Sequence, residues 1–239
     1  MSLETFTQNP RQNRVTPFGS IIATPARGLL MGNRGCLHDA EGRIRRAFVT
    51  QRWIICRLDF KNVRRPLMTP GRWTELFFLD EATALAAGHR PCAYCQRARF
   101  NCFRTLWAAA NPALAGSPTP AAPVIDAVLH GERITVAGQK VTYAGRFGEL
   151  PTGVFVVLEP VGQPYLVWGS ALLPWQPAGY GVPIARVSDA IVQVLTPQSV
   201  VRTLARGYSP LLHPSAQMLN AGSPFACSGA IDFGAASSG

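Results

Sequence analysis

The spacing of apolar and polar residues changes several times along the 239-residue chain, and each change marks an element. Residues 1–30 show no period; their scattered Pro, Gln, Asn and Thr predict a flexible lead-in. From Arg34 the pattern becomes that of short strands. Residues 34–39 (RGCLHD) and 43–49 (RIRRAFV) flank Ala40-Glu41-Gly42, a hairpin signal. Residues 52–60 (RWIICRLDF) alternate at their end, with Ile54, Cys56 and Leu58 on one face and Arg57 and Asp59 on the other. After a basic loop, residues 74–79 (TELFFL) predict a short buried strand. Asp80 can then cap a helix over 81–87, and Gly88 supplies the left-handed residue that ends it. A second helix over 96–110 carries Phe100, Phe103, Leu106 and Trp107 at helical spacing.

Residues 111–123 (NPALAGSPTPAAP) have the composition of a linker. Beyond it, 124–136, 139–145, 153–159, 164–175 and 187–195 are short apolar runs separated by Gly, Pro or polar residues, the pattern of a compact, mostly antiparallel sheet or small barrel. Thr196-Pro197 opens a helix that runs to Gly207. The small and polar residues 219–239 predict a disordered tail. The expected fold is α+β: a small domain over 31–110, a linker, and a β-rich domain over 124–218 with a C-terminal helix.

Charge alters this picture more by its placement than by its size. The net charge is +10, and all of it lies in residues 1–110, which hold 17 Lys or Arg against 7 Asp or Glu. Residues 111–239 hold six of each. Nearly all the cations are Arg, which suits bidentate phosphate contacts, so DNA or another polyanion is an expected partner. Arg52, Arg57, Lys61, Arg64, Arg65, Arg72 and Arg90, with Trp53 among them, form the candidate phosphate-binding cluster. An arginine-rich composition with a solvated basic face is the plainer reading. No apolar run is long enough for a membrane helix, and the polar N-terminus lacks a signal-peptide core, so a cytoplasmic protein is expected.

In that compartment six cysteines are ligands or thiols rather than disulfides. Cys92 and Cys95 stand in a Cys-x-x-Cys pair after a helix and a Gly-His-Arg-Pro turn. That context fits a metal knuckle better than a thioredoxin-like pair, which follows a strand. A zinc site needs four ligands. Cys56, Cys36 and His38 lie on the predicted upstream strands, Cys36 and His38 on one strand face, and His89 is locally close. Cys102 reads as a buried thiol, and Cys227 falls in the tail.

The run FFLDEATALAAGHRPCAYCQR (77–97) resembles the end of the Ada-type zinc domain, the N-terminal module of the bacterial regulator that repairs methylated DNA phosphotriesters. The family pattern of strand, acidic residue, Ala/Leu-rich helix, Ala-Gly and Arg-Pro-Cys-x-x-Cys stands here through Arg90, Pro91, Cys92 and Cys95. Its upstream Cys-Arg-Pro-x-Cys turn matches Cys56-Arg57 and departs at Leu58 and Phe60. The resemblance covers roughly residues 43–105. It implies a zinc-thiolate site, contact with DNA in repair or regulation, and Cys56 at the methyl-acceptor position. With Phe60 where the family has its second upstream cysteine, the fourth ligand falls to Cys36, His38 or His89.

The expectation is thus a zinc-binding protein contacting nucleic acid through its basic half. The alternatives are an alkyl acceptor using Cys56, or a structural or protein-interaction module. In the second half Asp126, His130 and Glu132, placed on one strand face, offer a structural pair, an acid/base group or a second metal site, and His213 stands apart. No Gly-rich phosphate loop, nucleophile elbow, His-Glu-x-x-His motif or helix-turn-helix is present.

Overall fold

The computed structural model describes residues 9–61, 66–158, 162–185 and 189–217, and among them the chain forms two sheets bridged by helices. The first sheet holds β1 (Gln12–Val15), β2 (Ile21–Ala23), β3 (Leu30–Asn33), β4 (Ile54–Cys56), β5 (Leu76–Phe78) and β6 (Arg90–Pro91), in the order β2-β1-β5-β3-β4-β6. The lead-in expected to be flexible therefore supplies two strands. Buried Asn13 and Val15 alternate with Gln12 and Arg14 in too short a run for periodicity to register, and β1 is held by pairing with β2 and β5. The expected hairpin around Ala40 shrinks to one bridge, His38 with Ile44, closed by the Asp39 and Arg43 backbones.

Helix α1 (Glu81–Ala86) is short, and all six of its residues are buried. Asp80 caps it as expected, Oδ1 accepting from the Thr83 amide at 2.9 Å, and Gly88 follows at φ +86°. A helix buried on every side needs apolar packing all round. Ala84 and Leu85 join a core that runs from Val15 and Ile55 through Phe103 and Trp107 to Val194 and Leu204. Ala82 and Ala86 face a second cluster with Phe155, Leu166, Leu173 and Trp175. Helix α2 (Arg97–Ala110) lays Phe100, Phe103 and Trp107 into the first of these.

The segment expected as a linker holds α3 (Pro112–Ala115) and the first two residues of α4 (Ala122–Arg133). Helix α4 corrects the strand expected there. Ile125, Asp126, Leu129 and Arg133 are its buried residues, a three-to-four spacing, and Pro123 stands in the first turn where its missing amide costs nothing. The run of β-branched and small apolar residues had masked that period.

The second sheet is antiparallel throughout: β7 (Tyr143–Arg146), β8 (Phe155–Val157), β9 (Pro164–Trp168), β10 (Ala171–Gln176), β11 (Gly179–Tyr180), β12 (Ile184–Ala185) and β13 (Ile191–Val194). Its path is β11-β10-β9-β8-β13-β7, with β12 also pairing β10. Helix α5 (Gln198–Ala205) follows, and α6 (Pro214–Gln217) ends the described chain. Two buried carboxylates at the start of α1 tie this C-terminal region to the first half. Asp80 Oδ2 accepts from Tyr180 Oη (2.7 Å) and the His213 amide (3.1 Å). Glu81 accepts from Tyr208 Oη (2.6 Å), the Leu211 amide (2.8 Å) and the Arg99 guanidinium. The tail over 219–239, with Cys227, lies outside the described residues, and no described helix is long and apolar enough to cross a membrane.

Candidate metal centre

Strand register brings the cysteines together. β4 runs parallel to β6, with Ile54 opposite Arg90 and Ile55 opposite Pro91, so the next residues in each strand direction are Cys56 and Cys92. The Ile55 carbonyl accepts from both the Cys92 amide (2.9 Å) and Gln96 Nε2 (3.0 Å), which pins both ends of the knuckle to β4. Cys95 then falls at the entrance to α2. The Sγ atoms of Cys56, Cys92 and Cys95 lie within 4.8 Å of one another. Zn–S bonds of about 2.3 Å in a tetrahedron put sulfurs about 3.8 Å apart, so this triangle can close on one ion with little movement.

The donor set fits a soft or borderline metal, because all three ligand atoms are sulfur and none is in a disulfide. Backbone amides already point at it. The Tyr94 amide donates to Cys92 Sγ at 3.4 Å, the Cys95 amide also faces that sulfur, and the Arg57 amide faces Cys95 Sγ. Hydrogen bonds from the Cys56 and Cys95 thiols, followed by those amides, pull the Cys92 thiol far below its ordinary range. Cys56 moves the other way, since donating to Cys92 and Cys95 within a partly buried site holds its proton in place. The three crowded thiols therefore share their first negative charge as one group. A cation would draw the other two protons off.

The other expected ligands lie outside this cluster. His38 is buried with Nδ1 2.6 Å from Thr74 Oγ1 and Nε2 3.2 Å from the Thr69 carbonyl, so both ring nitrogens are engaged. Cys36 Sγ is turned to the His38 carbonyl, at 3.8 Å. His89 is fully buried between the Trp53 and Phe78 rings, its Nε2 accepting from Arg34 Nε at 3.1 Å. Burial, then Arg34 and Arg133, push its pKa well below the ordinary value, so the ring is neutral. Phe60, at the position of the family's second upstream cysteine, packs edge-on against Tyr94, whose hydroxyl accepts from Lys61 Nζ at 2.9 Å. The chain after Cys56 thus leans on the knuckle through an aromatic contact instead of a fourth sulfur.

Of the expected phosphate-binding residues, Arg52, Arg57, Lys61 and Arg72 are exposed. Arg64 and Arg65 lie outside the described residues. Arg90 is a correction: it is 2% exposed, donating Nε and Nη2 to the two oxygens of Asp126 at 2.9 and 2.8 Å, and so cannot reach a polymer backbone. The strand pattern hid this pairing, because Asp126 reaches Arg90 only from a helix.

Asp126, His130 and Glu132 do not converge. His130 Nδ1 lies 3.1 Å from Arg133 Nη2, and Glu132 accepts from the Ser199 amide and hydroxyl at the start of α5. Sequence reasoning missed Gln96 and the inward amides. A polar side chain directly after Cys-x-x-Cys was the available signal. No protein-family model, curated protein or solved structure matches this chain.

Proposed function

We propose that this is a zinc-binding protein whose metal centre stabilises an Ada-like module that contacts nucleic acid. The observation carrying the metal is the triangle of Cys56, Cys92 and Cys95, assembled from two distant segments and served by backbone amides. Three thiolates would hold the ion, leaving a fourth place for water or an exogenous ligand. Exposed Arg52, Arg57, Lys61 and Arg72, near the cluster in sequence, support a phosphate-backbone footprint without base readout. Metal analysis of the purified chain tests the first part: one zinc per chain in the native protein and none in Cys92→Ser is expected. Stoichiometric zinc retained in Cys92→Ser refutes it. Duplex affinity at low salt that falls as salt rises tests the second, and absence of such affinity refutes it.

One observation favours a second reading, the alkyl acceptor: Cys56 is partly exposed whereas Cys92 is buried. Its thiolate would attack the methyl carbon of a phosphotriester, forming an S–CH3 bond as the O–CH3 bond breaks and a phosphodiester leaves. Mass spectrometry after incubation with methylated DNA decides this, and an unmodified Cys56 eliminates it.

A further inference from the structure

The C-terminal end of α1 gathers three cationic side chains that are not among the three sulfur ligands. Arg34, 1% exposed, donates Nε to His89 and Nη1 to the Gly19 carbonyl at 2.9 Å. Arg133, also 1% exposed, donates Nη1 to the Gly88 carbonyl (2.9 Å) and Nη2 to that of Gln51 (2.7 Å). Lys140 Nζ donates to the Ala86 carbonyl at 2.6 Å. Both guanidinium carbons lie 3.9 Å from the Trp53 ring centroid, so they are at most twice that distance apart.

Among the described residues, positive charge here exceeds the negative charge that reaches it. Asp126 is the acid that reaches Arg133, and its two oxygens are taken by Arg90. His89 is neutral, and the end of a helix supplies roughly half a negative charge. Two permanent guanidiniums therefore keep an excess above one unit before Lys140 is counted. A buried cation without a counter-charge costs several kcal/mol. Meanwhile Arg34 Nη2 and Arg133 Nε, both buried, have no hydrogen-bond partner among the described residues. The space beside Arg34 Nη2 is bounded by Gly19 at φ +87°; a Cβ there would stand 3.7 Å from Nη2 and 3.8 Å from the Ala87 carbonyl. Any other residue would fill that space.

We infer that Arg34, Arg133 and Lys140 form a binding site for a small tetrahedral oxyanion of the phosphate or sulfate type, seated against Gly19. A dianion matches the charge excess, and two nearly inaccessible guanidiniums admit a small ion while excluding a polymer backbone. Burial, then Arg34 and Arg133, lower Lys140 to about 7, and a bound anion would restore its proton.

Calorimetric titration of the full chain at constant ionic strength tests the site, with phosphate, sulfate and acetate as probes. Phosphate and sulfate should bind saturably and raise the thermal midpoint, while acetate should do neither. Lys140→Gln, at the partly exposed rim, should weaken phosphate about tenfold or more with the circular dichroism unchanged, because one charge-assisted hydrogen bond is lost. Lys140→Arg should keep most of the affinity. Absence of saturable phosphate binding, equal binding of acetate, or unaltered phosphate affinity in Lys140→Gln would each overturn the inference.

Discussion

Replacing Asp126 by Ala removes one side of a buried bidentate pair whose side chains are 3% and 8% exposed. The two hydrogen bonds, 2.9 and 2.8 Å long, satisfy Arg90 Nε and Nη2, and Nη1 already donates to the Pro91 carbonyl. After the substitution Arg90 keeps that carbonyl and the Phe100 ring at 5.1 Å, and neither neutralises it. Breaking such a pair from one side costs about 3–5 kcal/mol. For a chain of this length that corresponds to a drop of about 6–20 °C in thermal midpoint. The double variant Arg90→Met/Asp126→Leu should recover most of the loss, because the desolvated charge is gone as well as its partner. Circular-dichroism melts of the native, single and double variants measure this. Since Arg90 stands two residues before Cys92, the single variant should also release zinc to a chelator faster than the double. A loss below about 1 kcal/mol in Asp126→Ala, or a double variant no better than the single, would refute the reasoning.

Exposed Arg57 and buried Arg90 should separate in nucleic-acid binding. Arg57→Ala should reduce the slope of log affinity against log salt by about one, and Arg90→Met should leave it unchanged. Tyr180→Phe deletes the hydroxyl donated to Asp80 and should cost about 1.5–3 kcal/mol in denaturant unfolding, since the acceptor is a buried carboxylate. Gly88→Ala should destabilise the fold by about 1–3 kcal/mol, because its φ of +86° is strained for Ala and a Cβ would lie 2.5 Å from Arg133 Cδ. Lys140 has a folded-state pKa lowered to about 7 by burial, then Arg34 and Arg133, with Asp126 already paired and His89 neutral nearby. Between pH 7 and its unfolded value the unfolded chain binds more protons, so native stability should rise with pH in buffer free of phosphate and sulfate. Lys140→Met should flatten that rise.

What the sequence revealed was local. Asp80, Gly88 and the Cys-x-x-Cys spacing act within a few residues of themselves, and the cap, the left-handed turn and the knuckle stand where they were expected. Cys56 was also found, since a strand ending in a cysteine upstream of a knuckle needs only one pairing to meet it. The misses all depend on distant partners. Whether 124–136 is strand or helix turns on Asp126 meeting Arg90 and Arg133 meeting Gly88, and composition does not encode those contacts. β1 and β2 exist because β5 offers an edge. His38 and Cys36 carry ligand chemistry, but the loop after β3 spends it on Thr74, Thr69 and its own backbone.

The carboxylates that begin α1 also set an order of events for a growing chain. Glu81 finds partners 127 and 130 residues further on, and Asp80 finds one 133 residues further on. Until residues 208–213 leave the ribosome, burying that helix leaves Glu81 with Arg99 and Asp80 with its cap and Tyr180, short of their remaining donors, while the knuckle is held by β4. On the proposed metal function, thiol capture of an ion would then be completed late, with Cys92 open to oxidants in the interval. A chain stopped before Tyr208 should emerge zinc-poor.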